Sequence, residues 1–194
     1  MWHESGSKKE GIILEIPGND TVFPATPEDM ILSGPHIYVG SPLYKCPDNP
    51  CPPKKHCWSI VDLISIPDNY LPRAEYLPSN DRKKYDSGIP NVSWKNISVG
   101  NELSDSKVTH FYRLVVKAFV DLDVERTLTP GIIPPGIAHT NIIETIAFHD
   151  LTEMTLTTGV FATIPCDFFV RQRNKSNLLP DLIRSIPLPA FSDS

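Results

Sequence analysis

The side chains best suited to do chemistry form a basic, polar run, Arg171-Gln172-Arg173-Asn174-Lys175. Arginine and lysine bind phosphate oxygens, and glutamine and asparagine can each pair with the edge of adenine through two hydrogen bonds. The combination is typical of a DNA-binding loop. Composition by itself favours the ordinary alternative, a solvated polar loop. A further observation is needed to choose between the two, and the same holds for a second cationic group, Arg82-Lys83-Lys84.

Three cysteines and a histidine lie close together as Cys46, Cys51, His56 and Cys57. Thiolate and imidazole groups are the usual ligands of a tetrahedral Zn²⁺. Neither half of this group has the Cys-x2-Cys spacing of a zinc knuckle, and prolines stiffen the loop between them. We therefore expect unligated thiols, with zinc as the weaker alternative. Disulfides are the least expected state, because no secretory signal is apparent.

Motifs of the common catalytic sites are absent from the sequence. It contains no G-x-S-x-G, no phosphate-binding P-loop, no G-x-G-x-x-G and no H-E-x-x-H. Isolated acidic and histidine residues occur, but their spacing pairs none of them. We therefore expect this chain to have no catalytic activity of its own.

The elements that carry these residues are predicted to be short, because 20 of the 194 residues are proline. Apolar residues at helical spacing predict two main helices, at 107–120 and 140–148. Alternating or β-branched runs predict strands at 12–16, 156–164 and 167–171. The pattern predicts an α/β or α+β fold with a mixed sheet of short strands, two main helices and long, ordered, Pro-rich loops.

Charge and hydropathy limit the classes of protein further. The net charge of −5 disfavours a protein that binds nucleic acid over its whole surface, but it leaves room for a local basic face. Six acidic residues against two lysines mark residues 1–30 as an acidic extension, followed by one domain at 31–190 and a tail at 191–194.

No apolar run has the length of a membrane span, and no signal peptide is apparent. We expect a soluble, cytoplasmic protein without a membrane partner.

Eight blocks of the sequence resemble, in the same order, part of a known family. The blocks are 32–42, 61–63, 66–73, 110–115, 125–128, 132–139, 164–170 and 175–178. Together they are similar to the region downstream of the catalytic domain in large bacterial adenine-specific DNA methyltransferases. These are the type IIG restriction–modification enzymes and the DISARM-type phage-defence methylases.

In that family the region is associated with DNA target recognition and with packing against the methyltransferase core. The resemblance therefore implies double-stranded DNA and a catalytic core as partners. The family methylates N6 of a flipped adenine with S-adenosylmethionine, using an Asn-Pro-Pro-aromatic motif. Here Pro134-Pro135 follows Ile133 and precedes Gly136, so that motif is absent. The resemblance implies no cofactor in this chain, with S-adenosylmethionine held by the core of the full enzyme.

The resemblance favours two sets of DNA contacts. The first set, expected to face DNA directly, is Arg171, Gln172, Arg173, Asn174 and Lys175, and the second, expected to contact phosphates, is Arg82, Lys83 and Lys84. Arg113 is expected to be a buried ion-pair partner, with a phosphate ligand as the weaker alternative, and His139 is expected to be a local hydrogen-bonding residue. The expected function is a DNA target-recognition module that does not methylate alone. The alternative is a docking module that packs on a methyltransferase core or a defence partner without touching DNA.

Overall fold

The structure, a computed structural model, describes residues 3–17, 21–38, 41–42, 45–47, 58–60, 62, 64–92, 106–120 and 122–189. Helices and small sheets are mixed along these residues, which confirms the α+β class. The helices are α1 (Glu4–Lys9), α2 (Arg82–Ser87), α3 (Leu151–Phe161), α4 (Ile164–Gln172) and α5 (Pro180–Arg184). Within the described ranges, no helix has both the length and the apolar character needed to cross a membrane.

The strands are short and pair in small sheets. They are β1 (Ile13–Glu15), β2 (Ile31–Leu32), β3 (Ile37–Tyr38), β4 (Ser41–Pro42), β5 (Lys45–Pro47), β6 (Trp58–Ile60), β7 (Tyr76–Pro78), β8 (Arg113–Lys117), β9 (Gly131–Ile133), β10 (Ala138–His139) and β11 (Ile143–Ala147). β1 confirms the strand that the sequence predicts at 12–16.

The centre of the fold is an antiparallel sheet in the order β11-β8-β9. Leu114 in the middle strand lies opposite Ile132 of β9 and Ile146 of β11. Residues 113–116 are all buried, because both faces of this strand are covered. A strand covered on both faces is expected to have a continuous apolar run rather than an alternating one.

Helices cover one face of the central sheet. Leu114 and Val116 of β8 pack in one cluster with Met154 and Phe161 of α3 and with Val170 of α4. The buried inner side of α4 fixes that helix against the sheet, and the basic run begins in its last turn.

The N-terminal part of the chain packs on the other face. Val115 of β8 lies in a second cluster with Met30, Leu32, Ile133 and Ile143. β2 pairs in parallel with β10, and β1 pairs antiparallel with β7. Met30 and Ile13 are both buried, so residues 1–30 are joined to the core at β1 as well as at their last residues.

Both predicted main helices are wrong. β8 occupies the predicted helix at 107–120 after a short 3-10 turn at Val108–His110, and β11 occupies the one at 140–148. Phe111, Leu114 and Val115 have the spacing of a helical stripe. In a strand buried on both faces, neighbouring apolar residues all enter the core, so the spacing of apolar residues cannot distinguish a strand from a helix.

Two predicted strands are wrong in the opposite sense, since α3 covers most of 156–164 and α4 covers 167–171. The Asp150 carboxylate accepts the Thr152 and Glu153 backbone N–H groups, which caps α3 and offsets its β-branched content. Pro165 lies in the first turn of α4, where the missing N–H costs nothing. The basic run therefore begins in the last turn of α4 and continues into the turn after this helix, and it does not follow a strand.

Candidate nucleic-acid interface

The basic run lies where α4 leaves the core. Val170 is buried and the helix ends at Gln172. Asn174 has φ of 47°, a left-handed conformation that asparagine adopts more readily than most residues. This turn sends the chain back towards the buried Leu178. Gln172, Asn174 and Lys175 are exposed, as is Arg173.

Arg171 differs from the other members of its set, because its guanidinium bonds to the protein itself. Its Nε donates to Thr127 Oγ1 at 3.1 Å, and its Nη2 donates to the Val124 carbonyl oxygen at 2.6 Å. A third contact, at 3.4 Å, reaches the carbonyl oxygen of Glu125. These bonds attach the loop before Leu128 to the end of α4. Arg171 therefore positions the end of α4, and its donors are directed into the protein.

Arg173 is held by an aromatic side chain one turn earlier. Its guanidinium carbon lies 4.3 Å from the centre of the Phe169 ring, a cation–π distance. The contact restricts the side chain but uses none of its N–H groups. Because these donors have no hydrogen-bond or ion-pair partner among the described residues, they are available for an anion such as a phosphate.

Backbone pairing brings β8 next to the basic run. Val120 N donates to the Ser176 carbonyl oxygen at 3.0 Å, and Leu178 N donates to the Ala118 carbonyl oxygen at 2.7 Å. An isolated antiparallel bridge between Phe119 and Asn177 lies between these bonds. The end of β8 and the turn after α4 therefore form one continuous surface.

A shallow depression of about 550 Å³ lies on this surface. Its lining includes Lys117, Phe119, Asn174 and Lys175, together with the carboxylate-bearing Asp123. Neither lysine has an ion-pair or hydrogen-bond partner among the described residues, and Phe119 is 47% exposed. Two ammonium groups beside an exposed aromatic ring suit a phosphate backbone and a stacked base.

Sequence reasoning misses Lys117 and Phe119 as members of this surface. The predicted helix at 107–120 places them on different faces, whereas extended backbone places residues two apart on the same side. A correct prediction of β8 as a strand would have placed Lys117 and Phe119 on the same side of the chain and so identified them together.

The second basic set lies on α2, where Asp81 accepts the Lys84 backbone N–H at 3.1 Å. The Arg82 guanidinium pairs with the Asp29 carboxylate, and the Lys84 ammonium donates to the carbonyl oxygen of Glu10. Lys83 is exposed, with no such partner among the described residues. Two of the three cations therefore connect α2 to the N-terminal segment. The third remains open to solvent.

Asp167 organises the loop that Arg171 also holds. Its Oδ1 accepts the backbone N–H groups of Thr127 at 2.8 Å and Leu128 at 2.7 Å. The Arg126 Nε lies 3.6 Å from the same oxygen. Residues 125–128 are thus fixed by two side chains of α4, Asp167 and Arg171.

Two buried polar side chains near the central sheet, His139 and Arg113, form hydrogen bonds within the protein. His139 donates from Nδ1 to the Thr140 carbonyl oxygen at 2.8 Å, and its Nε2 then accepts from Thr145 Oγ1 at 2.9 Å, as expected of a local hydrogen-bonding residue. Burial lowers the pKa of His139 to about 3. Arg113 is completely buried, and burial lowers its pKa to about 10.

The prediction that Arg113 forms a buried ion pair is wrong among the described residues. Its Nη2 donates to the carbonyl oxygen of Ile137, and no carboxylate of the described residues lies within ion-pair distance. A main-chain oxygen thus takes the place of the acidic partner. The bond connects β8 to the Ile137 end of the loop that precedes β10.

The cysteine group is only partly covered by the structure. Cys46 lies in β5, which pairs with β6. Cys51, His56 and Cys57 lie outside the described residues. The zinc alternative therefore stays a prediction.

No family model, no curated protein and no solved structure matches the chain.

Proposed function

We propose that this chain is the DNA target-recognition module of an N6-adenine DNA methyltransferase of a restriction–modification or phage-defence system. The observation that carries the proposal is the depression between β8 and the end of α4. There, Lys117 and Lys175 lie beside the exposed ring of Phe119. The order of the sequence blocks that resemble this family supports the same reading.

The side chains divide into groups that hold DNA and groups that read it. Lys117, Arg173 and Lys175 bind phosphates and fix the register of the protein on the duplex. Gln172 and Asn174 carry the amides that can recognise adenine edges in the major groove. Arg171 acts indirectly, because its donors are used within the protein.

Catalysis belongs to a separate core in this proposal. The chain lacks the Asn-Pro-Pro-aromatic motif that would clamp a flipped adenine, so methyl transfer from S-adenosylmethionine occurs elsewhere. The module and its core act on DNA in the cytoplasm. The core is supplied by the same polypeptide or by another one.

Fluorescence anisotropy of a labelled mixed-sequence duplex tests the proposal. Three phosphate contacts predict that log K falls with log salt concentration with a slope of about −2.7 between roughly 50 and 200 mM salt. Absence of binding at the lowest salt concentration, or binding that does not respond to salt, would contradict DNA recognition by this surface.

A second candidate function rests on a different part of α4. Ile164 is 75% exposed and Phe168 is 58% exposed. Because they are four residues apart, they share one face of the helix. Such a face suits a docking module that packs on a methyltransferase core. This alternative predicts salt-insensitive binding to a purified core that the double substitution Ile164→Ser, Phe168→Ser weakens, and no binding to DNA.

A further inference from the structure

A second cavity lies away from the basic surface, between β11 and α5. It has a volume of about 360 Å³, at the small end of the range for ligand pockets. Apolar side chains form much of its wall, namely Val92, Val108, Ile146, Ala147, Pro180 and Ile183. An open, partly apolar cavity of this size suits a ligand with one ring or a short alkyl chain.

Glu144 supplies a negative charge to this wall. It lies opposite Val116 in the β8–β11 register, so its side chain is on the same side of the sheet as Val116 and the neighbouring Ile146. The side chain is partly buried, and burial raises the pKa of its carboxyl group. Among the described residues, Glu144 has neither an ion-pair partner nor a hydrogen-bond donor.

Partial burial removes water from the Glu144 carboxylate, and no hydrogen-bond donor of the described residues replaces that water. A cation that enters the cavity would restore that loss through a charge-assisted hydrogen bond. Arg184 is the other charged residue in the lining. Its side chain is 79% exposed, and its Nη1 lies 3.7 Å from the Asp181 carboxylate. Water and Asp181 therefore screen its charge, and Glu144 dominates the inner wall.

We propose that the cavity between β11 and α5 binds a small organic cation, with Glu144 pairing to its ammonium or amidinium group and the apolar wall enclosing its hydrocarbon body. The proposal is independent of DNA binding, because neither Lys117 nor Lys175 lines this cavity. It assigns a ligand class to a site that the target-recognition function does not use.

Benzamidine and benzamide form a matched pair of probes for this site. They have the same ring and nearly the same shape, but only benzamidine is a cation at neutral pH. Titration of the full chain, followed by backbone amide NMR shifts, measures the affinity and locates the site. We expect benzamidine to shift the amides of Thr145, Ile146 and Ile183, and to bind about tenfold or more tightly than benzamide.

Two substitutions separate a charge effect from a structural one. Glu144→Gln keeps the side-chain shape and should weaken benzamidine about tenfold, to the level of benzamide. Arg184→Gln removes a cation from the wall and should leave the affinity unchanged or raise it. The proposal is overturned by any of three results: equal binding of the two probes, shifts confined to other surfaces, or equal losses in both variants. The comparison of probes on the unmodified chain holds even where a variant unfolds.

Discussion

Arg171 and Thr127 are 44 positions apart in the chain, yet Arg171 Nε donates a hydrogen bond to Thr127 Oγ1 at 3.1 Å. The same guanidinium donates to the Val124 carbonyl oxygen at 2.6 Å. The bonds attach the loop before Leu128 to the end of α4, immediately before the exposed part of the basic run. A residue that looks like a DNA contact in the sequence thus positions the residues that follow it.

Arg171→Gln should destabilise the protein. The substitution removes a cation whose donors satisfy buried or partly buried oxygens, a loss of about 1–3 kcal/mol in the free energy of unfolding. Urea unfolding followed by circular dichroism measures this. Gln172→Ala is the control, since Gln172 is exposed and should change stability by no more than about 0.5 kcal/mol. Equal stability of the two variants would show that the Arg171 bonds contribute nothing to the fold.

Asp167→Ala should cost more than Asp167→Asn. The alanine variant leaves the Thr127 and Leu128 N–H groups without the acceptor they have at 2.8 and 2.7 Å, which costs about 2–4 kcal/mol. The asparagine variant keeps an acceptor oxygen and loses only the charge near Arg126. Chemical denaturation of both variants gives the comparison. The assignment fails if asparagine is as damaging as alanine.

Two glycine substitutions should change stability in opposite directions. Gly136 has φ of 90°, and a Cβ there would lie 3.0 Å from Pro27 Cβ, so Gly136→Ala should destabilise by about 1–3 kcal/mol. Gly159 lies in α3 with open space around it, so Gly159→Ala should stabilise by about 0.5–1 kcal/mol. Thermal unfolding of the pair is the measurement. A stabilising Gly136→Ala would contradict the turn geometry after Pro134-Pro135.

Stability should fall on acidification because of buried histidines. The pKa of His139 is lowered to about 3 by burial, and that of His36 is lowered for the same reason. The unfolded chain, with an ordinary histidine pKa of about 6.5, therefore takes up these protons first. The stabilisation by these neutral histidines is complete above about pH 6.5, the unfolded-state pKa. It is lost progressively as the pH falls towards the pKa in the folded state, which is about 3 for His139.

His139→Gln should reduce the slope of unfolding free energy against pH between about pH 6 and 4. One proton corresponds to about 1.4 kcal/mol per pH unit. Urea unfolding across this range measures the slope. His110→Gln is the control, because His110 is exposed. If the two variants keep the same slope as the unmodified chain, His139 is not the group that takes up the proton.

The sequence predicts the fold class and the location of the basic run, but not the elements around it. Residues 114–116 are apolar in succession because β8 is covered on both faces, and that run has the spacing of a helix as well as of a strand. The threonines of α3 favour a strand locally, whereas burial of Met154, Thr157 and Phe161 at helical spacing decides for a helix. Tertiary packing overrides local propensity in both cases.

The candidate site shows the same limit. Gln172, Arg173, Asn174 and Lys175 could be selected from residue type alone, because all are polar neighbours in the chain. The inward bonds of Arg171 could not, since its partners lie more than 40 positions away. Residue type shows what a side chain is able to bind, and only its contacts show whether its donors are free.

The most direct test of DNA recognition compares two substitutions that remove the same charge. Lys175 lines the depression, whereas Lys9 is exposed on α1 and is not part of that lining, so Lys175→Gln and Lys9→Gln form a matched pair. Duplex anisotropy across a salt series should show that Lys175→Gln reduces the slope of log K against log salt by about 0.9, while Lys9→Gln leaves it unchanged. Equal slopes for the two variants would contradict the assignment of this surface to DNA.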